Sequence, residues 1–171
     1  MNLKISPTTI RIAIDLDDTI FDWIGAFRKK YPKLDWNNNA LITKKVRDSR
    51  YDKLFWENLP LLERPNFEPT IYATKRINSK IYTRNCLLKY DLPIKPIYQI
   101  YTQLGNKASI IKGRCDVLID DSIFNVQQAL DVGLPAILID RPHNQNSSLP
   151  RIYHLDINEI ISVYDEHYRN C

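Results

Sequence analysis

The chain has 171 residues, of which 44% are hydrophobic and 26% charged, with a formal net charge of +4: the make-up of one globular domain with room for a small insertion. No apolar run is long enough for a bilayer span, and four glycines leave no Gly-rich phosphate loop. Three cysteines (Cys86, Cys115, Cys171), odd in number and far apart, fit neither a disulfide framework nor a zinc-ligand spacing. With no signal-peptide pattern in MNLKISPTTI, the reading is a protein of the reducing cytoplasm without a membrane partner.

In chain order, the first predicted element is a buried strand, IRIAID (10–15), which runs into Asp15, Asp17 and Asp18. Asp15 and Asp17 are two apart, so on an extended backbone their side chains leave the same face. Two carboxylates held that close need a cation between them or a retained proton. The pair suggests a division of labour, one a metal-bound nucleophile and the other a general acid and base. The pleat turns Asp18 away from that face, and Thr19 steadies the turn.

Residues 23–65 interrupt the pattern with all three tryptophans (Trp23, Trp36, Trp56). Between Asp22 and Leu54 stand nine Lys or Arg against four Asp. This excess reads as a solvated helical face or as a field for an anionic substrate; a nucleic-acid patch is less favoured at so small a net charge. Trp23, Phe27 and Tyr31 recur every four residues and make one aromatic stripe on a helix. Asn37, Asn38 and Asn39 predict a loop. We expect a small, mostly helical insertion over the crevice, with most of its rings forming its own core and Trp23 close enough to reach the mouth of the site.

Asn66 then reads as the cap of a helix through Ser79, with Pro69 in its first turn, followed by a second buried strand, KIYT (80–83), ending at Thr83. PIYQIYT (96–102) is a further candidate strand, and DVLID (116–120) and PAILID (135–140) complete the set. Ser122 opens a helix that Gly133 closes, and Asp156 with Glu159 starts a last helix whose Ile157, Ile160, Ile161 and Tyr164 share a face. Apolar strands alternating with helices predict an α/β fold with a parallel sheet covered on both sides. Its chemistry belongs beyond the carboxyl ends of the strands, where Asp15, Asp17, Thr83, Asp120 and Asp121 fall. The histidines (His143, His154, His167) lack metal-ligand spacing; His143 is read as shaping a loop.

DLDDT (15–19), Thr83 closing KIYT, Lys107 in LGNKASII and Asp120–Asp121 in DVLIDDS resemble, in order, the four signatures of the haloacid dehalogenase (HAD) superfamily of Mg-dependent phosphohydrolases. DLDDTIFDW, FWENLP, GNKASII and ILIDRPHNQN make the chain most similar to the 5′(3′)-deoxyribonucleotidases. The resemblance implies a Rossmann-like HAD core (1–22 and 66–171) with a small helical cap inserted at 23–65. It implies that Asp15 forms an aspartyl-phosphate and that Asp17 protonates the leaving oxygen and then activates water. Mg²⁺ would take the Asp15 carboxylate, the Asp17 backbone carbonyl and a carboxylate of the Asp120–Asp121 pair, with Asp121 favoured as the direct ligand. Thr83 and Lys107 would hold the phosphate, Lys112 being the rival to Lys107, and Trp23, with Phe55 and Trp56 behind it, would meet the base. RNCLLKYDLPIKP, between the second and third signatures, is shorter than the family's usual connection, which weakens the substrate assignment more than the chemistry.

The implied activity is hydrolysis of (deoxy)ribonucleoside monophosphates. The alternatives are a 3′-phosphatase for nucleic-acid ends and a nucleotide-binding domain without turnover. Base, sugar, position of the phosphate and oligomeric state, a homodimer included, stay open at this level.

Overall fold

The computed structural model describes residues 10–100 and 105–169. Ile12, Ala13 and Ile14 form β1 (Ile12–Ile14), buried throughout, and every later strand lies parallel to its neighbours. These are β2 (Ile71–Thr74), β3 (Ile97–Gln99), β4 (Val117–Asp120), β5 (Ala136–Ile139) and β6 (Arg151–Ile152), in the spatial order β3-β2-β1-β4-β5-β6. β1 sits between β2 and β4, with Ala13 opposite both Ile71 and Leu118.

Strand side chains alternate between two cores, as the pleat requires. Ile12, Ile14, Tyr72, Val117, Ile119, Ile137 and Ile139 face one side, packing with Cys86 and Leu87 of α4 (Lys80–Lys89) and Ile160 of α7 (Ile157–Tyr168). Ala13, Ile71, Ala73, Leu118, Ala136 and Leu138 face the other, against Ala108 and Ile111 of α5 (Lys107–Ile111) and Val126 and Ala129 of α6 (Ile123–Asp131). Helices thus cover both faces, and near-continuous apolar strands follow from that double burial. The three boundaries expected for the last two helices are present. Ser122 accepts from the Asn125 N–H, and the N–H groups of Gly133 (φ +72°) and Leu134 close α6 on Leu130 and Ala129 in a Schellman arrangement. Asp156 caps α7 through the N–H groups of Asn158 and Glu159.

Between β1 and β2 stand α1 (Trp23–Lys30), α2 (Asn39–Asp48), a 3₁₀ turn (Ser49–Tyr51) and α3 (Lys53–Glu57). Asp22, Asn38 and Asp52 cap the three helices with their side chains. The expected loop at 37–39 is shorter than read, since Asn38 is a cap and Asn39 already helical. The aromatic stripe is present, with ring centres 4.9 Å apart for Trp23–Phe27 and 4.8 Å for Phe27–Tyr31.

The expected helix over 66–79 and strand over 80–83 are both overturned. The second strand is IYAT (71–74), and KIYT is the first turn of α4. Asn66 caps a different helix, its Oδ1 accepting from the Ile157 N–H of α7. Each of the two runs is four residues of apolar and β-branched character, too short for periodicity to separate them. Thr83, Cys86 and Leu87 are the buried residues of α4 and follow helical spacing, while Ile81 is half exposed. The candidate strand 96–102 is β3 at its start; Tyr101 and Thr102 lie outside the described residues, as do Cys171 and the first nine residues. With Thr74 as the strand end, α4 fills the β2–β3 connection as a full crossover helix, so the suspected shortness of that segment disappears. No helix among the described residues is long and apolar enough to cross a membrane.

Candidate active site

The carboxyl ends of β1, β2 and β4 deliver Asp15, Thr74 and Asp120 to one edge of the sheet. A cavity of about 270 Å³ opens there, lined by Asp15, Asp17, Thr74, Lys75, Arg76, Lys107, Asp121 and Asn125 from the core and by Trp23, Ile42, Val46 and Trp56 from the helical insertion. Of the residues expected from sequence, the fold gathers Asp15, Asp17, Lys107, Asp121, Trp23 and Trp56 around this space, with Asp120 directly beside it. Phe55 packs against Phe27 and Trp56 instead of lining it. Thr83 does not line it either: it is buried in α4, its Oγ1 3.4 Å from Arg76 Nη1. Thr74 occupies the strand-end position expected of Thr83.

Lys107 opens α5 and is buried to 1% exposure. Its Nζ donates to Asp15 Oδ1 at 2.5 Å and to the Ala73 carbonyl oxygen at 3.2 Å, and forms an ion pair with Asp120 Oδ2 at 2.5 Å. The rival Lys112 is exposed and reaches the Val132 carbonyl instead. Asp120 is fully buried, its Oδ1 accepting from the Ser122 N–H and Asn125 Nδ2, both at 3.0 Å. Asp121 is held at its two carboxylate oxygens by His143 Nε2 (2.8 Å) and the Thr19 hydroxyl (3.3 Å), and at its carbonyl by Asn144 Nδ2 (2.8 Å). Asp17 meets Arg76 through three contacts of 2.6–3.0 Å. Asp18 adopts φ +60°, a left-handed conformation that Asp tolerates, and caps the Ile24 N–H while lining a separate cavity with Arg28, Arg141 and His143. Burial pushes its carboxyl up to about 7.

Carboxylate oxygens of Asp15, Asp120 and Asp121 come within 4.8 Å of one another. Burial pushes the Asp15 carboxyl well above the usual carboxylate range; Lys107 opposes that rise, and the charges of Asp120, Asp121 and Asp17 add to it. Asp121 is raised by burial too, against its bond from His143. The four carboxylates outnumber the cations Lys75, Lys107 and Arg76 around them, and the clustered oxygens of Asp15, Asp120 and Asp121 fit a hard cation. His143, Thr74, Lys75 and Arg76 carried no sequence signal for the site. The Arg76–Asp17 and His143–Asp121 contacts join distant parts of the chain, and no local spacing announces them.

The basic excess of the insertion is in good part engaged internally. Lys30 pairs with Asp52, the Arg28 guanidinium lies 4.8 Å from the Trp36 ring centre and that of Arg50 lies 4.4 Å from Tyr51. The α2 residues that face the cavity are Ile42 and Val46, while Lys44 and Arg47 are exposed.

No protein-family model and no curated protein matches this sequence. Solved structures do. The L-2-haloacid dehalogenase PA0810 superposes with a TM-score of 0.55 at 10% identity, over 85% of this chain and 96% of that one. The HAD-hydrolase YfnB from Bacillus subtilis, solved bound to magnesium, gives 0.54 at 13% identity over 92% and 98%. The chain therefore has the α/β fold of the HAD-family hydrolases, with an acidic triad at the carboxyl end of its sheet.

Proposed function

We propose that the protein is a Mg²⁺-dependent phosphatase acting on nucleoside monophosphates. The observation that carries this reading is a single cavity lined by carboxylates, Thr74 and two lysines from the core and by Trp23, Trp56, Ile42 and Val46 from the insertion. Such a space suits a substrate with a phosphate at one end and a flat, weakly polar ring at the other. Trp23 is stacked on Phe27, and its buried Nε1 has no hydrogen-bond partner among the described residues. The modest volume and the apolar inner face of α2 favour a mononucleotide over a nucleic-acid strand.

Asp15, Asp121 and the Asp17 carbonyl would hold the Mg²⁺, with Asp120 fixing Lys107 and the turn at Ser122. The ion would supply positive charge that offsets the repulsion between the attacking carboxylate and the phosphate. Asp15 attacks phosphorus, forming an aspartyl-phosphate as the P–O bond to the sugar breaks. Asp17 delivers a proton to the departing sugar oxygen, then takes one from the water that hydrolyses the acyl phosphate and regenerates Asp15. Thr74 and Lys75 hold phosphate oxygens. Lys107 first keeps the two buried carboxylates apart, and shares a hydrogen with the phosphate when the substrate displaces one of its three partners.

The test is phosphate release from a panel of ribo- and deoxyribonucleoside 5′- and 3′-monophosphates. Release that needs Mg²⁺, stops with EDTA and is lost in Asp15→Asn supports the reading. Equal release by Asp15→Asn, or indifference to EDTA, removes it.

A further inference from the structure

Arg76, two residues beyond β2, has no part in the roles above, yet its side chain is fully buried. Taking a guanidinium out of water costs several kcal/mol unless an anion answers it. The answering anion is Asp17. Nε lies 2.9 and 3.0 Å from the two carboxylate oxygens, and Nη2 lies 2.6 Å from Oδ1. This planar fork fixes the carboxylate in angle as well as distance, which a lysine ammonium does not do.

The fork is itself held on every side. The Arg76 N–H donates to Thr74 Oγ1 at 3.3 Å, and its carbonyl accepts from Gln99 Nε2 at 2.8 Å. The guanidinium carbon lies 5.4 Å from the Phe21 ring centre and 5.5 Å from that of Trp56, within cation–π range of both. Phe21 belongs to the loop after β1, and Trp56 to α3 of the insertion. Trp56 is fixed in turn by its Nε1 bond to the Ser49 carbonyl, 2.8 Å. A continuous chain of contacts therefore runs from Ser49 through Trp56 and Arg76 to Asp17.

We infer that Arg76 is the positioning residue for Asp17, and that Trp56 makes this placement depend on α3 of the insertion. The inference rests on the phosphatase reading, in which Asp17 moves a proton to and from the sugar oxygen and water. A simple structural ion pair would have the same contacts but different kinetics. The proton delivered by Asp17 matters for a poor leaving group, a sugar alkoxide, and little for p-nitrophenolate, which departs unprotonated.

The experiment uses the Mg²⁺-loaded protein and measures the pre-steady-state burst of nucleoside from a nucleoside monophosphate and of p-nitrophenol from p-nitrophenyl phosphate. Arg76→Lys keeps the charge and loses the fork. It is expected to slow the nucleoside burst by roughly tenfold or more and the p-nitrophenol burst by less than about threefold, with KM little changed. In an Asp17→Asn background the same substitution should cost less than about twofold further, because its effect runs through Asp17. Trp56→Leu, which leaves the ion pair in place, should give a smaller loss with the same preference for the nucleotide. Equal losses on both substrates, or full additivity with Asp17→Asn, would overturn the inference. Should Arg76→Lys not fold, the Trp56→Leu comparison decides alone, read on burst rates at saturating substrate so that a lost ring contact shows in KM instead: a substrate-selective loss of rate supports the inference and an unselective one overturns it. A wild-type protein with no metal-dependent release of nucleoside or p-nitrophenol, in the burst or in the steady state, would remove the phosphatase reading itself, a result distinct from a failed variant.

Discussion

Replacing Lys107 by Met removes one charge from a nearly sealed site while keeping side-chain length and most of its volume. The ammonium lies 2.5 Å from a carboxylate oxygen of each of two buried aspartates, Asp15 and Asp120. A pair of unit charges about 4 Å apart attracts by about 4 kcal/mol at an effective dielectric of about 20, and here there are two pairs. Burying the ammonium offsets part of this, and deleting one member of a buried ion pair costs about 3–5 kcal/mol because the remaining charge is stranded. The expected loss for the metal-free protein at pH 8 is therefore about 3–5 kcal/mol in urea denaturation. The loss should shrink at pH 5. A carboxyl whose folded-state pKa is raised above its unfolded value binds a proton more readily when folded, so its contribution falls as pH rises between the two values. Burial raises Asp15 already in the wild type, and removing Lys107 takes away the charge that opposes that rise. The gap between variant and wild type should therefore widen from pH 5 to pH 8. A loss below about 1 kcal/mol, or the same loss at both pH values, would refute this account of Lys107.

Three further outcomes follow from the same geometry. Adding Mg²⁺ to EDTA-treated protein should raise the melting temperature, more at pH 8 than at pH 5, because burial favours protonated Asp15 and Asp121 at the lower pH; differential scanning fluorimetry reads it, and Asp121→Asn should shrink the shift. Thr74→Val should lower kcat/KM for a nucleoside monophosphate by roughly tenfold, through loss of one charge-assisted phosphate contact, while Thr83→Val, which removes only a long 3.4 Å contact to Arg76 Nη1 and leaves the Asp17 fork in place, stays within about twofold. Trp23→Leu should raise KM for a nucleoside monophosphate by roughly fivefold to a hundredfold, the range of one base–aromatic stack. KM for glycerol phosphate, which has no ring to stack, should stay unchanged.

The strands that flank the site were legible in the sequence wherever an apolar run met a polar cluster. IRIAID, DVLID and PAILID each contain a strand, and the last two helices carry the side-chain caps that mark them. β2 was not legible, because IYAT and KIYT are equally short and both carry an Ile-Tyr pair and a closing threonine, and what separates them is tertiary. IYAT pairs on both sides, with β1 and β3, while α4 needs only to lay Thr83, Cys86 and Leu87 against the core. Within the site, Asp15 and Asp17 could be read from their spacing, and Lys107 and Asp121 from resemblance. Arg76 and His143 could not, since their meaning lies in partners 59 and 22 positions away that only the folded chain brings together. Asp18 turns to a separate cavity through its left-handed backbone and not through the pleat, and the Thr19 hydroxyl reaches Asp121 where only a steadied turn was expected.

The central claim is that the Asp15 carboxylate becomes phosphorylated. The most direct measurement is mass spectrometry of protein acid-quenched within milliseconds of mixing with Mg²⁺ and a nucleoside monophosphate, followed by peptide mapping. The account predicts one phosphoryl group, on the peptide that contains Asp15, absent with EDTA and absent in Asp15→Asn. Turnover without phosphorylation of that peptide, or a phosphoryl group mapped to another residue, would contradict it.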